Sequence, residues 1–198
     1  MLAAAILAAG ESRRMGEPKA LVTLRGLTFV EHLIAATRLP RIGITRIVLG
    51  AQSESIRAKL DVDPDTIVVN TDWPKGQLSS IHVAIRSLPA GESEGMIVCP
   101  VDHPLVSMRL VSELIRQFDA SSKLIALPTY RGKRGHPVIF RASLYDELLA
   151  AAPKIGAREV VWAHAEEIEE VATDEEGVIL NLNDPETLQR ASSELHSS

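Results

Sequence analysis

The chain has 198 residues, of which 45% are hydrophobic and 24% are charged. This balance is typical of a folded globular protein and excludes an intrinsically disordered one, and no apolar run approaches the ~20 residues of a membrane-spanning helix. The single cysteine excludes an internal disulfide framework and a multi-cysteine zinc site, and a net charge of −5 argues against a general nucleic-acid surface. We therefore expect a cytoplasmic protein with one domain over residues 1–198, whose residues 191–198 form a frayed tail.

Short apolar runs alternate along the chain with segments of helical periodicity. The first run, residues 3–8, contains no polar residue, as expected for a strand buried on both faces. The predicted strands are 3–8, 46–49, 66–69, 95–99, 124–127, 138–140, 168–171 and 178–179. The predicted helices start at Thr28, where Glu31 completes a capping box, and at Pro185, and also cover 53–60, 78–88, 108–118, 144–150 and 159–163.

This alternation predicts an α/β fold with a mainly parallel sheet. In such a sheet the loops that follow the strands gather at one edge, and ligands bind there. Charge is uneven along the chain, since residues 1–60 contain nine Lys and Arg against four Asp and Glu. Residues 159–198 contain one Arg against eleven acidic residues. A basic N-terminal part suits a bound polyphosphate, although solvated surface charge explains it equally well.

The loop in residues 7–19, which reads Leu-Ala-Ala-Gly-Glu-Ser-Arg-Arg-Met-Gly-Glu-Pro-Lys, follows the first strand. Gly10 and Gly16 permit close backbone approaches, and the two small alanines before Gly10 leave room for a flat ring. Successive N–H groups can bind an anion, and Arg14 and Lys19 can contact phosphate. The loop is neither a Walker A nor a G-x-G-x-x-G sequence, which disfavours a nicotinamide cofactor. An ordinary surface loop with solvated arginines is the alternative.

Further polar segments also follow or flank predicted strands. Residues 70–81 lead into a helix whose N-terminus offers free N–H groups, with serine hydroxyls beside them. Asp102 lies between two prolines after the fourth strand, where it can hold Mg²⁺ or, alternatively, cap the next helix. Residues 131–137 place three basic residues on a loop that suits an acceptor's phosphate or is simply solvated. Trp73 is expected to pack rather than stack on a base, Cys99 to be a buried thiol and His103 to be structural.

Residues 7–19 resemble the signature L-A-A-G-x-S-x-R-M-G-x-x-K of the MobA-like nucleotidyltransferases. Segments 70–81, 98–105, 135–140 and 181–186 follow in the order that this family shows. The pair Ala8-Ala9 resembles the molybdenum cofactor cytidylyltransferase branch, whereas relatives that use GTP tend to have Ala-Gly there. The resemblance implies a Rossmann-like three-layer nucleotidyltransferase fold with a mostly parallel sheet.

The resemblance also implies a reaction, in which CMP passes from CTP to the phosphate of molybdopterin and pyrophosphate is released. Catalysis is assigned to Arg14, Lys19 and Asp102, Mg²⁺ to Asp102 with Asn183 or Asp184, and acceptor binding to Arg134 and His136. The expected partners are CTP or another NTP, a phosphorylated small-molecule acceptor, and a molybdoenzyme or its chaperone that receives the product. The nucleotide-binding residues are Leu7, Ala8, Ala9, Gly10, Glu11, Ser12, Arg14, Lys19, Asn70, Gly76 and Ser80.

Two other functions stay open at this point. The acceptor can be another phosphorylated molecule, such as a sugar or polyol phosphate, with the same fold and metal site. A non-catalytic nucleotide-binding regulator is the other possibility, because Asn183 stands where many cytidylyltransferases have Asp.

Overall fold

The computed structural model describes residues 1–193. Its strands are β1 (Leu2–Ala8), β2 (Thr23–Leu24), β3 (Leu27–Thr28), β4 (Ile42–Leu49), β5 (Ile67–Val69), β6 (Gly95–Pro100), β7 (Ile125–Tyr130), β8 (Lys133–Arg134), β9 (Val138–Arg141) and β10 (Ile168–Ala172). Its α-helices are α1 (Phe29–Thr37), α2 (Ser53–Arg57), α3 (Gln77–Arg86), α4 (Met108–Ala120), α5 (Tyr145–Ala150), α6 (Arg158–Ala163) and α7 (Pro185–Ser193). Within this part of the chain, no helix is long and apolar enough to cross a membrane.

The main sheet has eight strands, in the order β10-β7-β9-β6-β1-β4-β5, with β8 paired to β7. Neighbouring strands are parallel except where β9 meets β6 and β7 and where β8 meets β7. Strands β2 and β3 form a separate antiparallel pair. The predicted α/β fold with a mostly parallel sheet is therefore confirmed.

Successive residues of β1 point to opposite faces of the sheet and so feed two separate apolar clusters. Leu2, Ala4, Ile6 and Ala8 pack in the cluster that includes buried residues of α1 and α4. The alternating residues from Ala3 to Ala9 pack in the other cluster, with buried residues of α3 and α5. Both clusters exclude water, and the sheet lies between them as the middle of three layers.

The start of α1 agrees with the helix start that the sequence predicts at Thr28. The Thr28 hydroxyl accepts a hydrogen bond from the Glu31 N–H, and the Glu31 carboxylate accepts one from the Thr28 N–H, which is the predicted capping box. The helix buries Phe29, Val30 and Leu33 against the sheet. The start of α1, the helix in the connection from β1 to β4, is therefore specified by residues next to it in sequence.

Two predictions at the C-terminal end were wrong. Residues 178–179 form no strand, because Glu176–Val178 is a 3₁₀ turn in which Val178 is fully buried and its carbonyl accepts a hydrogen bond from the His136 N–H, 2.8 Å away. Residues 191–193 belong to α7, where Ala191 packs into the core, and residues 194–198 lie outside the described part of the chain. Burial explains both differences, because Val178 is removed from water in a turn and Ala191 is removed from water in a helix.

The order of the strands creates the position of a ligand site. The chain starts in the middle of the sheet at β1, continues to β4 and β5 on one side, and returns to β6 on the other side. This reversal between β1 and β6 is the point at which open α/β sheets bind ligands, beyond the carboxyl ends of the strands. The Val101 N–H bonds to the Leu7 carbonyl (3.1 Å) and so holds the ends of β6 and β1 together.

Candidate active site

A cavity of about 210 Å³, here called the first cavity, opens beyond the carboxyl ends of β1 and β6. It brings together three of the segments that the sequence singled out, namely the loop after β1, the turn before α3 and the residues after β6. Its lining residues are Leu7, Ala9, Gly10, Ser12, Lys19, Trp73, Gly76, Gln77, Ser80, Pro100, Val101 and Asp102.

The loop after β1 is folded back on itself by Ser12. The backbone of Ser12 has a left-handed conformation (φ 57°), and its hydroxyl accepts a hydrogen bond from the Lys19 N–H at 3.0 Å. This contact brings Lys19 to the wall of the cavity. At Gly10 an added Cβ would meet no atom within 4 Å. The missing side chain at Gly10 therefore keeps the cavity open rather than relieving a clash.

Lys19 stands between two oxygen-bearing side chains. Its ammonium donates a hydrogen bond to Asn183 Oδ1 and lies 3.9 Å from Asp102 Oδ2. The Lys19 and Asp102 side chains are only 17% and 22% exposed, so water screens this charge pair weakly. Burial lowers the pKa of Lys19, the Asp102 carboxylate opposes that shift, and the charge of Arg14 adds to it.

A backbone hydrogen bond fastens the C-terminal segment to this centre. The Leu182 N–H donates to the Asp102 carbonyl at 2.8 Å, which places Asn183 beside Lys19. The Asp184 carboxylate instead accepts the Thr187 N–H at 2.9 Å, and this bond lowers the pKa of Asp184. Asp184 therefore serves as the cap of α7, and Asn183 is the residue that reaches the Lys19–Asp102 pair.

The side chains around Lys19 suit a small, hard cation. A carboxylate and an amide oxygen already converge on a positive charge, the Lys19 ammonium, and both are ligands that Mg²⁺ takes. Among residues 1–193, no group of three or more His, Cys, Asp or Glu side chains is arranged to hold a metal ion. Any cation at Asp102 would thus need oxygens from a substrate or from water, which is how Mg²⁺ is commonly held at phosphates.

Several residues predicted to bind nucleotide do not line the first cavity. Ala8 packs into the apolar cluster on the α1 side of the sheet, and Glu11 forms an exposed ion pair with Arg13 (2.7 Å). Arg14 is exposed on the loop, where its charge still acts on Lys19. These side chains can therefore contact a ligand only at the rim of the cavity, or can influence it through a neighbouring residue.

Asn70 is fully buried and supports the turn before α3. Its amide donates to the hydroxyls of Ser79 (2.8 Å) and Ser80 (3.0 Å), and its carbonyl oxygen accepts the Asp72 N–H (2.9 Å). Trp73 packs on Gly50, where an added Cβ would lie 2.7 Å from the Trp73 Cβ, and it also lines the first cavity. Trp73 therefore packs on its neighbours, while its expected lack of stacking on a base stays a prediction.

A larger space of about 570 Å³, here called the second cavity, adjoins the first, and Gln77 lines both. Arg134 and His136, the predicted acceptor-binding residues, line it, and Arg134 also forms an ion pair with Glu170 at 2.6 Å. Its lining residues are Gln77, Leu78, Ile81, Val98, Leu127, Arg134, Gly135, His136, Val138, Phe140, Pro153, Ile155, Gly156, Ala157, Arg158, Val161 and Trp162.

Sequence reasoning missed the contribution of residues 153–162 to this wall. No local sequence pattern signals that contribution, and Trp162, an aromatic side chain on this wall, is 64% exposed. His103 was predicted to be structural, and its ring lies against that of His136. Cys99 is fully buried, and burial raises its thiol pKa to about 12, so it is a core residue as expected.

Comparison with known proteins identifies the family. Residues 4–168 match the MobA-like NTP transferase domain. The chain belongs to the MobA-like NTP transferase family. It is therefore a nucleotidyltransferase, and the cavity beyond β1 and β6 is the candidate active site of this family member.

Relatives of known name carry two different activities. The chain is 29% identical over 201 residues to a molybdenum cofactor guanylyltransferase of Shewanella sp. ANA-3, and this alignment covers 98% of the chain and 97% of the relative. The chain is also 33% identical over 146 residues to a nicotine blue oxidoreductase of Paenarthrobacter nicotinovorans, and this alignment covers 70% of each protein. Among solved structures, Rv0371c of Mycobacterium tuberculosis H37Rv has a TM-score of 0.85 at 25% identity over 96% of both chains. Rv0371c has also been solved in complex with manganese, with a TM-score of 0.81 at 23% identity over 100% of this chain and 99% of that one.

Proposed function

We propose that this MobA-like nucleotidyltransferase transfers CMP from CTP to the phosphate of molybdopterin, with Mg²⁺, and releases pyrophosphate. The observation that carries the proposal is the cluster of Lys19, Asp102 and Asn183 at a small cavity that adjoins a larger one. One cavity can take the nucleotide and the other the acceptor. The named function of the guanylyltransferase relative, which covers nearly the whole chain, supports the choice of acceptor.

The chemistry requires positioning and charge neutralisation more than a reactive side chain. An oxygen of the acceptor's phosphate attacks the α-phosphorus, a new phosphoanhydride bond forms, and the bond to the departing pyrophosphate breaks. Lys19 donates hydrogen bonds to phosphate oxygens, and Arg14 adds positive charge from the rim. Asp102 and Asn183 would hold Mg²⁺, which supplies further neutralisation of phosphate charge when it is bound. The manganese in the Rv0371c complex supports a divalent cation in this fold.

The side of the first cavity formed by Ala9 favours a pyrimidine base. Ala9 lines the cavity, and Gly50 lies so close to it that a Cβ added to Gly50 would be 2.6 Å from the Ala9 carbonyl oxygen. Ala9 therefore has little freedom to withdraw, and the smaller base fits beside it more easily. The guanylyltransferase relatives make GTP the competitor against which CTP must be tested.

The test is pyrophosphate release by the purified protein with molybdopterin, Mg²⁺ and either CTP or GTP. Turnover with CTP is expected to exceed turnover with GTP, and Asp102→Asn is expected to lower kcat by about a hundredfold or more without unfolding the protein. Asp61→Asn, a change of the same kind at an exposed position, serves as the matched control.

Normal turnover of Asp102→Asn would refute the role of that carboxylate. A higher kcat/KM for GTP would overturn the base assignment and leave the reaction intact. Pyrophosphate release only with a sugar or polyol phosphate would assign a different acceptor. Tight NTP binding without pyrophosphate release for any acceptor would indicate a nucleotide-binding regulator. We further propose that the product passes to a molybdoenzyme or its chaperone, while the expected cytoplasmic location stays a prediction.

A redox activity is the second candidate, because one named relative is an oxidoreductase. The loop after β1 lacks the G-x-G-x-x-G sequence of dinucleotide-binding folds, which argues against a nicotinamide cofactor. The test supplies NADH or NADPH as the reductant and nicotine blue as the electron acceptor, and follows NAD(P)H oxidation by absorbance. Oxidation without any pyrophosphate release in the transferase assay would favour this candidate over nucleotidyl transfer.

A further inference from the structure

Helix α6 presents a cation and an aromatic ring to the second cavity. Arg158 and Trp162 both line that cavity, and residues four apart lie on the same face of a helix. Val160, between them in sequence, is buried in the apolar cluster on the α3 side of the sheet. The Glu159 carboxylate accepts a hydrogen bond from the Ala152 N–H at 2.6 Å. The helix is thus anchored to the protein on one side, while another side faces the cavity.

The apolar lining of the second cavity continues from the core to the surface. Buried side chains from three strands of the main sheet line it, namely Val98, Leu127, Val138 and Phe140. Ile155 and Trp162 line the same cavity and are 44% and 64% exposed. A single exposed apolar side chain is ordinary, but two that continue a buried apolar lining form a surface that a ligand can cover. The volume of about 570 Å³ lies within the range of roughly 300–1,000 Å³ that small-molecule sites show.

The charge of the second cavity is positive. Among the described residues that line it there are two arginines and no Asp or Glu. Arg134 is paired with Glu170, whereas the Arg158 guanidinium has no hydrogen bond or ion pair within residues 1–193. An unpaired guanidinium beside an aromatic face suits a ligand that carries both a negative charge and a ring.

We propose that the second cavity binds the acceptor as a planar conjugated heterocycle, whose ring stacks on Trp162 and whose negative charge is met by Arg158. Stacking is favourable between an indole and a flat, polarisable ring, and it covers the exposed face of Trp162. A sugar or polyol phosphate carries the charge but lacks the flat ring, so it makes only one of these two contacts. The acceptor class is thereby narrowed to phosphorylated ring compounds such as pterins.

This inference rests on the proposed function, because it takes the ligand of the second cavity to be the acceptor. Gln77 lines both cavities, so the two cavities meet at this residue. A ligand that lies against Trp162 therefore occupies a space continuous with the proposed NTP site.

The experiment measures dissociation constants by titration calorimetry for molybdopterin, 6-hydroxymethylpterin and ribitol 5-phosphate. The first probe carries the ring and the phosphate, the second carries only the ring, and the third carries only the phosphate. The wild type is expected to bind molybdopterin most tightly and ribitol 5-phosphate at least about tenfold more weakly, since the latter loses the stacking contact.

Variants of the two residues separate the ring from the charge. Trp162→Ala should weaken binding of molybdopterin and 6-hydroxymethylpterin about tenfold, the loss typical of one stacked ring, and should change ribitol 5-phosphate binding less than about twofold. Trp162→Phe keeps an aromatic face and should recover most of the affinity. Arg158→Met should weaken both phosphorylated probes about tenfold and leave 6-hydroxymethylpterin unchanged.

Leu27→Ala and Arg57→Met, at exposed positions outside both cavities, are the matched controls. The KM for the NTP and the melting temperature should stay at their wild-type values in Trp162→Ala, because this side chain is exposed and lines the other cavity. A lower melting temperature with an equal loss for all three probes would show that Trp162 supports the fold and would overturn the inference.

The remaining outcomes distinguish this inference from the proposed function. Molybdopterin binding that is unaffected in Trp162→Ala, or ribitol 5-phosphate binding as tight as that of molybdopterin, would overturn the inference even if pyrophosphate is released. The expected pattern of affinities in a wild-type protein that releases no pyrophosphate would refute the proposed function and support the ring site.

Discussion

At Lys19, burial and neighbouring charge act on one ammonium in opposite directions. Desolvation disfavours the charged form, while the Asp102 carboxylate favours it. A side chain in this position contributes little net stability, because the cost of burying the charge offsets the attraction. The position of Lys19 is therefore compatible with the proposed contact to phosphate and is not accounted for by a gain in folding stability.

Replacement of Lys19 by Met tests this balance, because Met keeps most of the apolar stem and removes the charge. We expect kcat to fall about a hundredfold, the loss typical of one electrostatic contact in a transition state. The melting temperature should change little. Steady-state kinetics and a thermal melt, with the exposed Lys59→Met as control, measure both effects. A large fall in melting temperature with normal kinetics would show that Lys19 serves the fold.

At the scale of an element, the turn that leads into α3 depends on a conformation that only glycine adopts easily. Gly76 has φ +100° and ψ −179° at the first cavity, whereas Gly10 is not in the left-handed region and faces open space. The two glycines thus lack a side chain for different reasons. Gly76 permits the backbone conformation of the turn, and Gly10 leaves space in the first cavity for a ligand.

Alanine substitutions should separate these reasons. Gly76→Ala is expected to lower the free energy of unfolding by about 1–3 kcal/mol and to weaken NTP binding. Gly10→Ala should leave stability unchanged and weaken NTP binding about tenfold, since its methyl group enters the cavity. Gly91 has a φ of +75° and lies outside both cavities, so Gly91→Ala should lower stability without weakening NTP binding.

Urea unfolding measures the free energy of unfolding of these glycine variants, and NTP-dependent shifts in melting temperature measure their nucleotide binding. A Gly76→Ala variant that is as stable as the wild type and binds NTP as strongly would contradict the assignment.

At the scale of the whole molecule, a charge network joins distant parts of the chain at the amino ends of the central strands. Arg41 contacts Glu94 and Asp119 (3.0 Å), and Glu94 also accepts a hydrogen bond from the Met1 amino group (2.7 Å). The bonds from Met1 and Arg41 hold the pKa of Glu94 at about 2, well below its ordinary value of 4.5. The charged carboxylate is therefore favoured in the folded state.

The pH dependence follows from the sign of that shift. A lowered pKa contributes stability that is complete above about 4.5 and is lost as the pH falls to about 2. Glu94→Gln should therefore melt at a lower temperature than the wild type at neutral pH, and the difference should vanish near pH 2. Melting temperatures across this range, with the nearby exposed Glu92→Gln as control, provide the measurement. A difference that persists at the acid end would show that the carboxylate charge is not its source.

Much of this fold was predictable because its signals are local. The apolar run that becomes β1, the capping box of α1 and the strand after Pro64 each depend on neighbouring residues. Lys19 and Asp102 were also identifiable, since polar residues after buried strands must gather at one edge of a parallel sheet. The family resemblance supplied Asn183, which no local pattern would have selected.

The remaining features depend on tertiary contacts that local patterns do not encode. Asn70 follows a strand as a ligand-binding residue would, yet its side chain turns inward to the serines of α3. Val178 reads as part of a strand but fills a buried turn beside Gly135. The second cavity needs residues 153–162 to fold over the sheet, and nothing near them in sequence announces that contact.

The bond from the Leu182 N–H to the Asp102 carbonyl links the charged centre to the segment that precedes α7. Asn183 lies beyond residues 4–168, the stretch that matches the family, and beyond β10, the last strand among the described residues. The contact between Asn183 and Lys19 is therefore supplied from outside the sheet. Substitutions in residues 181–184 are expected to disturb this contact while the order of the strands stays the same.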